Sequence, residues 1–220
     1  MNTNALKLTA ILLVIAGLSA CNSNNNKNSE MEKPPMDETV VTEIESQPDE
    51  VFYDALAAYE KGDVIQSGVL IDKGIQYIEN IEDDADDKEK LEFSKQIIQL
   101  SKLSERLKEK KIKSADEIIT VFENTEKALA GHAIIVSETL VEMDSTEQAI
   151  NTTQTARHYL EQAQKIVKKE KKLLYQESID GLTKLGLKTK EDYEKGKKDI
   201  IKDLHKIKNQ LIEIDYKSKS

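Results

Sequence analysis

Three histidines, a run of aspartates and a single cysteine are the residues of this 220-residue chain best suited to chemistry. His132, His158 and His205 would matter most as metal ligands. Di-iron helical bundles place a Glu three residues before such a His, because that spacing puts both ligands on one helix face. Here those positions hold Leu129, Thr155 and Lys202, so the motif is absent. A zinc centre needs converging ligands. His132 and His158 fall on neighbouring helices within reach of Glu138 and Glu161, but no spacing demands a site. All three histidines are expected as polar residues at the edges of helix seams. Asp83, Asp84, Asp86 and Asp87 offer oxygen donors for a cation, yet lack the glycine and the alternation of an EF-hand loop. They are expected at a helix start, where carboxylates face the positive end of the dipole. No Ser stands in a Gly-x-Ser-x-Gly elbow, and there is no phosphate loop or haem-attachment motif. The sequence therefore predicts no catalytic residue, no metal ligand set and no cofactor.

Cys21 is different. It is the only cysteine, so no intramolecular disulfide is possible. It follows a polar start with Lys7 and an apolar run from Leu8 to Leu18, a run shorter than the roughly 20 residues a membrane-spanning helix needs. The run ends in Leu18-Ser19-Ala20-Cys21, which resembles the lipobox of bacterial lipoproteins. The resemblance covers only the first twenty or so residues. It implies a signal peptide over residues 1–20, cleavage before Cys21, thioether lipidation of Cys21 and acylation of the new amino terminus, by palmitate for instance. Each buried methylene contributes about 0.8 kcal/mol, so two or three chains hold a protein firmly in a bilayer. Position 22 is Asn and residues 22–29 carry no acid. Within the lipoprotein resemblance, that points to the outer membrane, facing the periplasm.

The elements that would position any site follow from composition. Charged residues make up 33% and aromatics 5%, with no tryptophan, so the core must be thin and built on Leu, Ile and Ala. Long amphipathic helices suit this, since each buries only a stripe. Residues 21–48 hold an Asn/Ser stretch, Pro34-Pro35, scattered acids and Pro48; they read as a tether with too little apolar surface to order. From residue 49 to 220 the pattern predicts an all-α domain, an elongated bundle of about six helices. Val51, Phe52, Ala55, Leu56 and Tyr59 share one face of the first helix. Gly62-Asp63 marks a turn. Ile65, Val69, Ile71, Ile75, Ile78 and Ile81 belong to the second helix. Phe93, Ile97, Leu100, Ser104 and Leu107 form a coiled-coil-like seam on the third. Ser114 with Glu117 is a capping box for a fourth helix ending near Met143, and Ser145 with Gln148 for a fifth. The fifth carries Ala156, Leu160, Ala163, Val167, Glu170 and Leu174. Thr189 with Asp192 opens the last, with Ile200, Leu204, Ile207, Leu211 and Ile214 in register.

Tyr59, Gly62-Asp63 and Gly68 also resemble part of a tetratricopeptide repeat, over about Phe52 to Glu79. Asp72 stands where that family has a large apolar residue, and no second copy follows at the expected period. Such arrays need about three repeats for stability, so the expectation is an ordinary helical hairpin.

Charge is unevenly placed. Residues 30–92 hold twenty acidic and five basic side chains, whereas residues 165–219 hold sixteen basic and ten acidic. The two ends are expected to attract one another within the bundle or stay solvated. A clean basic face with aromatic stacking groups is missing, which argues against nucleic acid as a partner. The function expected is a lipid-anchored envelope protein that binds or scaffolds rather than catalyses. Its partners would be the membrane through the anchor, another envelope protein and a second copy of itself. Tyr53, Tyr59 and Tyr77 mark the expected partner groove, since tyrosine is favoured at interfaces. The alternative is a metal- or small-ligand-binding periplasmic sensor.

Overall fold

The computed structural model describes residues 48–217, so the leader, the tether and Leu18, Ser19, Ala20 and Cys21 lie outside the described residues. Seven helices and no strands make up the described chain: α1 (Pro48–Glu60), α2 (Val64–Asp84), α3 (Asp87–Lys108), α4 (Ala115–Glu142), α5 (Thr146–Ile166), α6 (Lys169–Gly186) and α7 (Lys190–Lys217). They pack as an all-α bundle.

Local chemistry sets most of the boundaries. Pro48 suits the first helical position, where its missing N–H costs nothing. Gly62 adopts φ +85°, which only glycine takes without a Cβ penalty, and turns the chain between α1 and α2. Asp63 then caps α2 by accepting from the Gln66 N–H at 3.1 Å. Asp86 is the N-cap of α3. It accepts from the N–H groups of Lys88 (2.8 Å) and Glu89 (2.9 Å), while the Glu89 carboxylate accepts from the Asp86 N–H at 3.4 Å. This is a full capping box. A second box opens α7, where Asp192 accepts from the Thr189 N–H at 2.9 Å and the Thr189 hydroxyl accepts from the Asp192 N–H at 3.2 Å.

Two expected boxes do not form. Ser114 caps α4 through the Asp116 N–H at 3.1 Å, but Glu117 turns away to Arg106 of α3 at 2.6 Å. A charged partner on a neighbouring helix outcompetes the local N–H. Ser145 precedes α5 without any side-chain cap bond. The expected count of about six helices becomes seven for a single reason: the predicted fifth helix is two. Val167 and Lys168 take extended ψ values of 160° and 155°, ending α5 and starting α6.

α4 is the central element, packed on α1, α3, α5 and α7. Its contact with α5 is the most extensive in the bundle. Ala149, Ala156 and Ala163 recur every seventh residue on α5 and are all fully buried, as are Ala130 and Ala133 on α4. Small side chains at that spacing let the two backbones approach closely. The seams read from the sequence are buried too: Phe93, Leu100, Ser104 and Leu107 on α3, and Ile200, Leu204, Ile207, Leu211 and Ile214 on α7. Ile65 and Val69 of α2 are exceptions, each at least 40% exposed. Asp72, the residue out of place in a tetratricopeptide hairpin, accepts from Ser104 at 2.5 Å and pairs with Lys108, tying α2 to α3. No helix among the described residues is long and apolar enough to cross a membrane.

Candidate functional site

The three histidines go to three separate places. His132 on α4 is 5% exposed, and its Nδ1 lies 2.9 Å from a Glu89 carboxylate oxygen on α3. Its ring meets Phe93 edge-on at 5.5 Å. The carboxylate calls for a proton on Nδ1, and Nε2 is buried with no hydrogen-bond partner among the described residues. Glu89 thus serves twice, as cap of α3 and as partner of α4. His158 pairs along its own helix with Gln162 at 3.1 Å. His205 on α7 is 61% exposed and approaches Glu138 of α4 at 3.0 Å. Glu138, which the sequence leaves free to approach His132 or His158 without requiring it, meets His205 of α7 instead. Burial, opposed by His205 and Lys208, pushes the Glu138 carboxyl above its usual value.

Among the described residues no three His, Cys, Asp or Glu side chains converge as metal ligands. The aspartates 83–87 mark the junction between α2 and α3, and Asp86 is spent on capping. The Glu89 amide above all, helped by that of Lys88, holds its carboxyl below its usual value.

Buried polar groups concentrate where sequence reasoning did not look. Glu123 on α4 is fully buried; it accepts from the Tyr175 hydroxyl at 2.8 Å and from Lys171 Nζ at 2.8 Å, both on α6. Ser137, Thr153 and Tyr193 form a buried hydroxyl chain across α4, α5 and α7, with steps of 2.8 Å and 3.4 Å. Burial raises the Tyr193 phenol above its usual value, so it stays a neutral donor. Three tyrosines, Tyr159, Tyr175 and Tyr193, are thus core residues. These links join helices: the hydroxyl chain is buried throughout, and only Lys171 of the Glu123 group reaches solvent.

The proposed tyrosine groove divides differently. Tyr53 is 54% exposed, whereas Tyr59 and Tyr77 are half-buried, Tyr59 packed against the core. A cleft among the described residues lies between α6 and α7, with a volume of about 500 Å³. Its walls combine apolar Leu174 and Ile214 with Glu177, Lys202, Lys206 and Glu213, and His205 and Asn209 also line it. Neither Lys202 nor Asn209 has a side-chain partner among the described residues. Lys206 faces Glu177 loosely at 3.7 Å. Its capacity is for binding through both signs of charge beside an apolar wall.

No family model matches the chain, and no curated protein or solved structure proved similar to it.

Proposed function

We propose that this protein is a lipid-anchored module of the bacterial cell envelope that acts by binding another envelope component, without catalysis. The observation that carries the reading is Leu18-Ser19-Ala20-Cys21 at the end of a short apolar leader, with Cys21 the only cysteine. Residues 22–48 then act as a tether. Asn22 favours the outer membrane with the domain facing the periplasm. In support, the buried Glu123 joins α4 to α6, and the cleft between α6 and α7 sets charges of both signs beside an apolar wall. A second copy of the chain is one further partner for the helical faces; nucleic acid is not.

The test pairs a metabolic palmitate label with crosslinking in the native bacterium. Wild-type protein should carry the label, fractionate with the outer membrane and capture one dominant envelope component. Cys21→Ser should lose the label and leave the membrane fraction. An unlabelled wild-type protein sinks the anchor. A labelled protein that captures only itself replaces the binding module with a self-assembling one.

A further inference from the structure

We propose that the lysine-rich end of the bundle, where the α3–α4 and α5–α6 connections meet, docks on an anionic lipid bilayer. This contact goes beyond the anchored-module reading and needs no acyl chain.

The chain as a whole carries a formal charge of −9. Against that background, residues 106–117 and 165–172 together hold ten basic and four acidic side chains. The fold joins the two segments. Lys168, between α5 and α6, pairs with Asp116 in the first turn of α4 at 3.2 Å, and Lys171 reaches the buried Glu123 of α4 at 2.8 Å.

Accounting for each acid leaves an excess of lysine. Glu109 pairs with Lys111 at 2.7 Å, Asp116 with Lys168, and Glu117 with Arg106 at 2.6 Å. Lys108 pairs with Asp72 of α2. Lys110, Lys113, Lys165, Lys169 and Lys172 are exposed, with no acidic partner among the described residues; Lys165 meets Gln162 and Lys172 a backbone carbonyl. Against these five stands Glu170 alone of the four acids. Of the flanking acids, Glu60 adjoins Lys61, Asp63 is held by its cap bond to the Gln66 N–H, and Glu213 is already engaged. The N-termini of α4 and α6 both open here, and their dipoles add to the positive potential.

Two features select a bilayer over other polyanions. Leu173, next to Lys172, is 78% exposed, more than any other large apolar side chain among the described residues. Lysines that reach headgroup phosphates and an aliphatic side chain that enters the acyl boundary are the two components of binding at a membrane surface. Nucleic acid would instead call for exposed aromatic stacking groups, and Tyr175, the tyrosine of α6, is buried.

The experiment is vesicle co-sedimentation of the full-length Cys21→Ser protein, which can carry no thioether-linked lipid. Vesicles of equal parts phosphatidylglycerol and phosphatidylcholine should bind it at least tenfold more tightly than phosphatidylcholine alone, and molar salt should abolish the difference. Lys110→Gln, Lys113→Gln, Lys169→Gln and Lys172→Gln together should remove the preference. Lys184→Gln, Lys190→Gln, Lys195→Gln and Lys198→Gln together, around the α6–α7 turn, should keep it. Circular dichroism checks that both variants are folded. Equal binding to the two vesicle types overturns the proposal and traces the binding to the apolar leader. Equal loss in the two quadruple variants also overturns it, since net charge rather than this surface would then be responsible. So does retention on single-stranded DNA with none on anionic vesicles. The palmitate label, not this experiment, decides the anchor.

Discussion

Tyr175 of α6 donates its hydroxyl to Glu123 of α4 across 2.8 Å, in a place that water does not reach. Lys171, one turn earlier on α6, holds the other carboxylate oxygen. A buried carboxylate is tolerated only when paired and hydrogen-bonded, and both of these partners come from α6, a helix otherwise packed on α5 and α7. Tyr175→Phe keeps the ring and removes one bond to a charged acceptor, with an expected cost of about 1.5–3 kcal/mol. A urea titration should show a lower midpoint at unchanged slope. An unchanged midpoint would mean that Lys171 alone satisfies Glu123.

Asp86 supplies an acid-sensitive term. Its carboxyl is held below the ordinary value of 3.8 by the Glu89 amide, against a smaller burial effect. A group whose folded value is depressed stabilises fully above its unfolded value, and that stability is lost as pH falls through the folded value. Asp86→Ala should cost about 1 kcal/mol at neutral pH. Its deficit relative to wild type should shrink as the solution is acidified below the carboxylate range. A deficit constant with pH would remove the cap from the account.

Glu138 should behave in the opposite sense. Burial raises its carboxyl above 4.5, the nearby His205 and Lys208 only partly offsetting this. A carboxyl with a raised folded value binds protons more tightly in the native state, so stability falls as pH rises from the unfolded to the folded value. Glu138→Gln should therefore melt higher than wild type at neutral pH, and the gap should close in acid. A neutral variant that melts lower at neutral pH would show that the contact with His205 outweighs the burial.

What the sequence conveyed and what it hid follow one physical division. Caps are local, so Thr189 with Asp192 was legible from residues three apart, and the run Asp83–Asp87 was legible as a helix start. The seams of α3 and α7 repeat at alternating spacings of four and three and were legible for the same reason. The break at Val167–Lys168 was not, because the apolar register of Ala156, Leu160, Ala163 and Val167 continues to Leu174 without a glycine or proline. Glu117 failed as a capping residue because Arg106 comes from another helix. Glu123 with Tyr175, and Thr153 with Tyr193, are about forty or more residues apart, and nothing local marks them as partners. The cleft was hidden likewise. Lys202, Lys206 and Glu213 look like an ordinary solvated stripe until Leu174 is brought beside them.

Gly74 tests the α1–α2 contact directly. A Cβ there would overlap the Phe52 ring, which is buried and itself packs on Phe122 at 5.0 Å. Alanine is the better helix former, so an open site would gain about 1 kcal/mol. The overlap predicts the reverse, a net loss of about 1–3 kcal/mol from overpacking. Thermal unfolding of Gly74→Ala gives the sign, and a raised melting temperature would show that Phe52 has room to move.

The Phe52–Phe122 contact also fixes how the domain would carry tension. α1 rests mainly on α2 and α4, and it meets α4 through this ring pair. A pull on the chain ahead of Pro48 enters at α1 and reaches the centre of the bundle through two tilted aromatic rings, with no ion pair between α1 and α4 among the described residues. Such a joint is greasy and non-directional: it slides before it snaps. Stretched from that end, the molecule should first pay out α1 and α2 as slack, leaving α4 to α7 and the cleft between α6 and α7 whole.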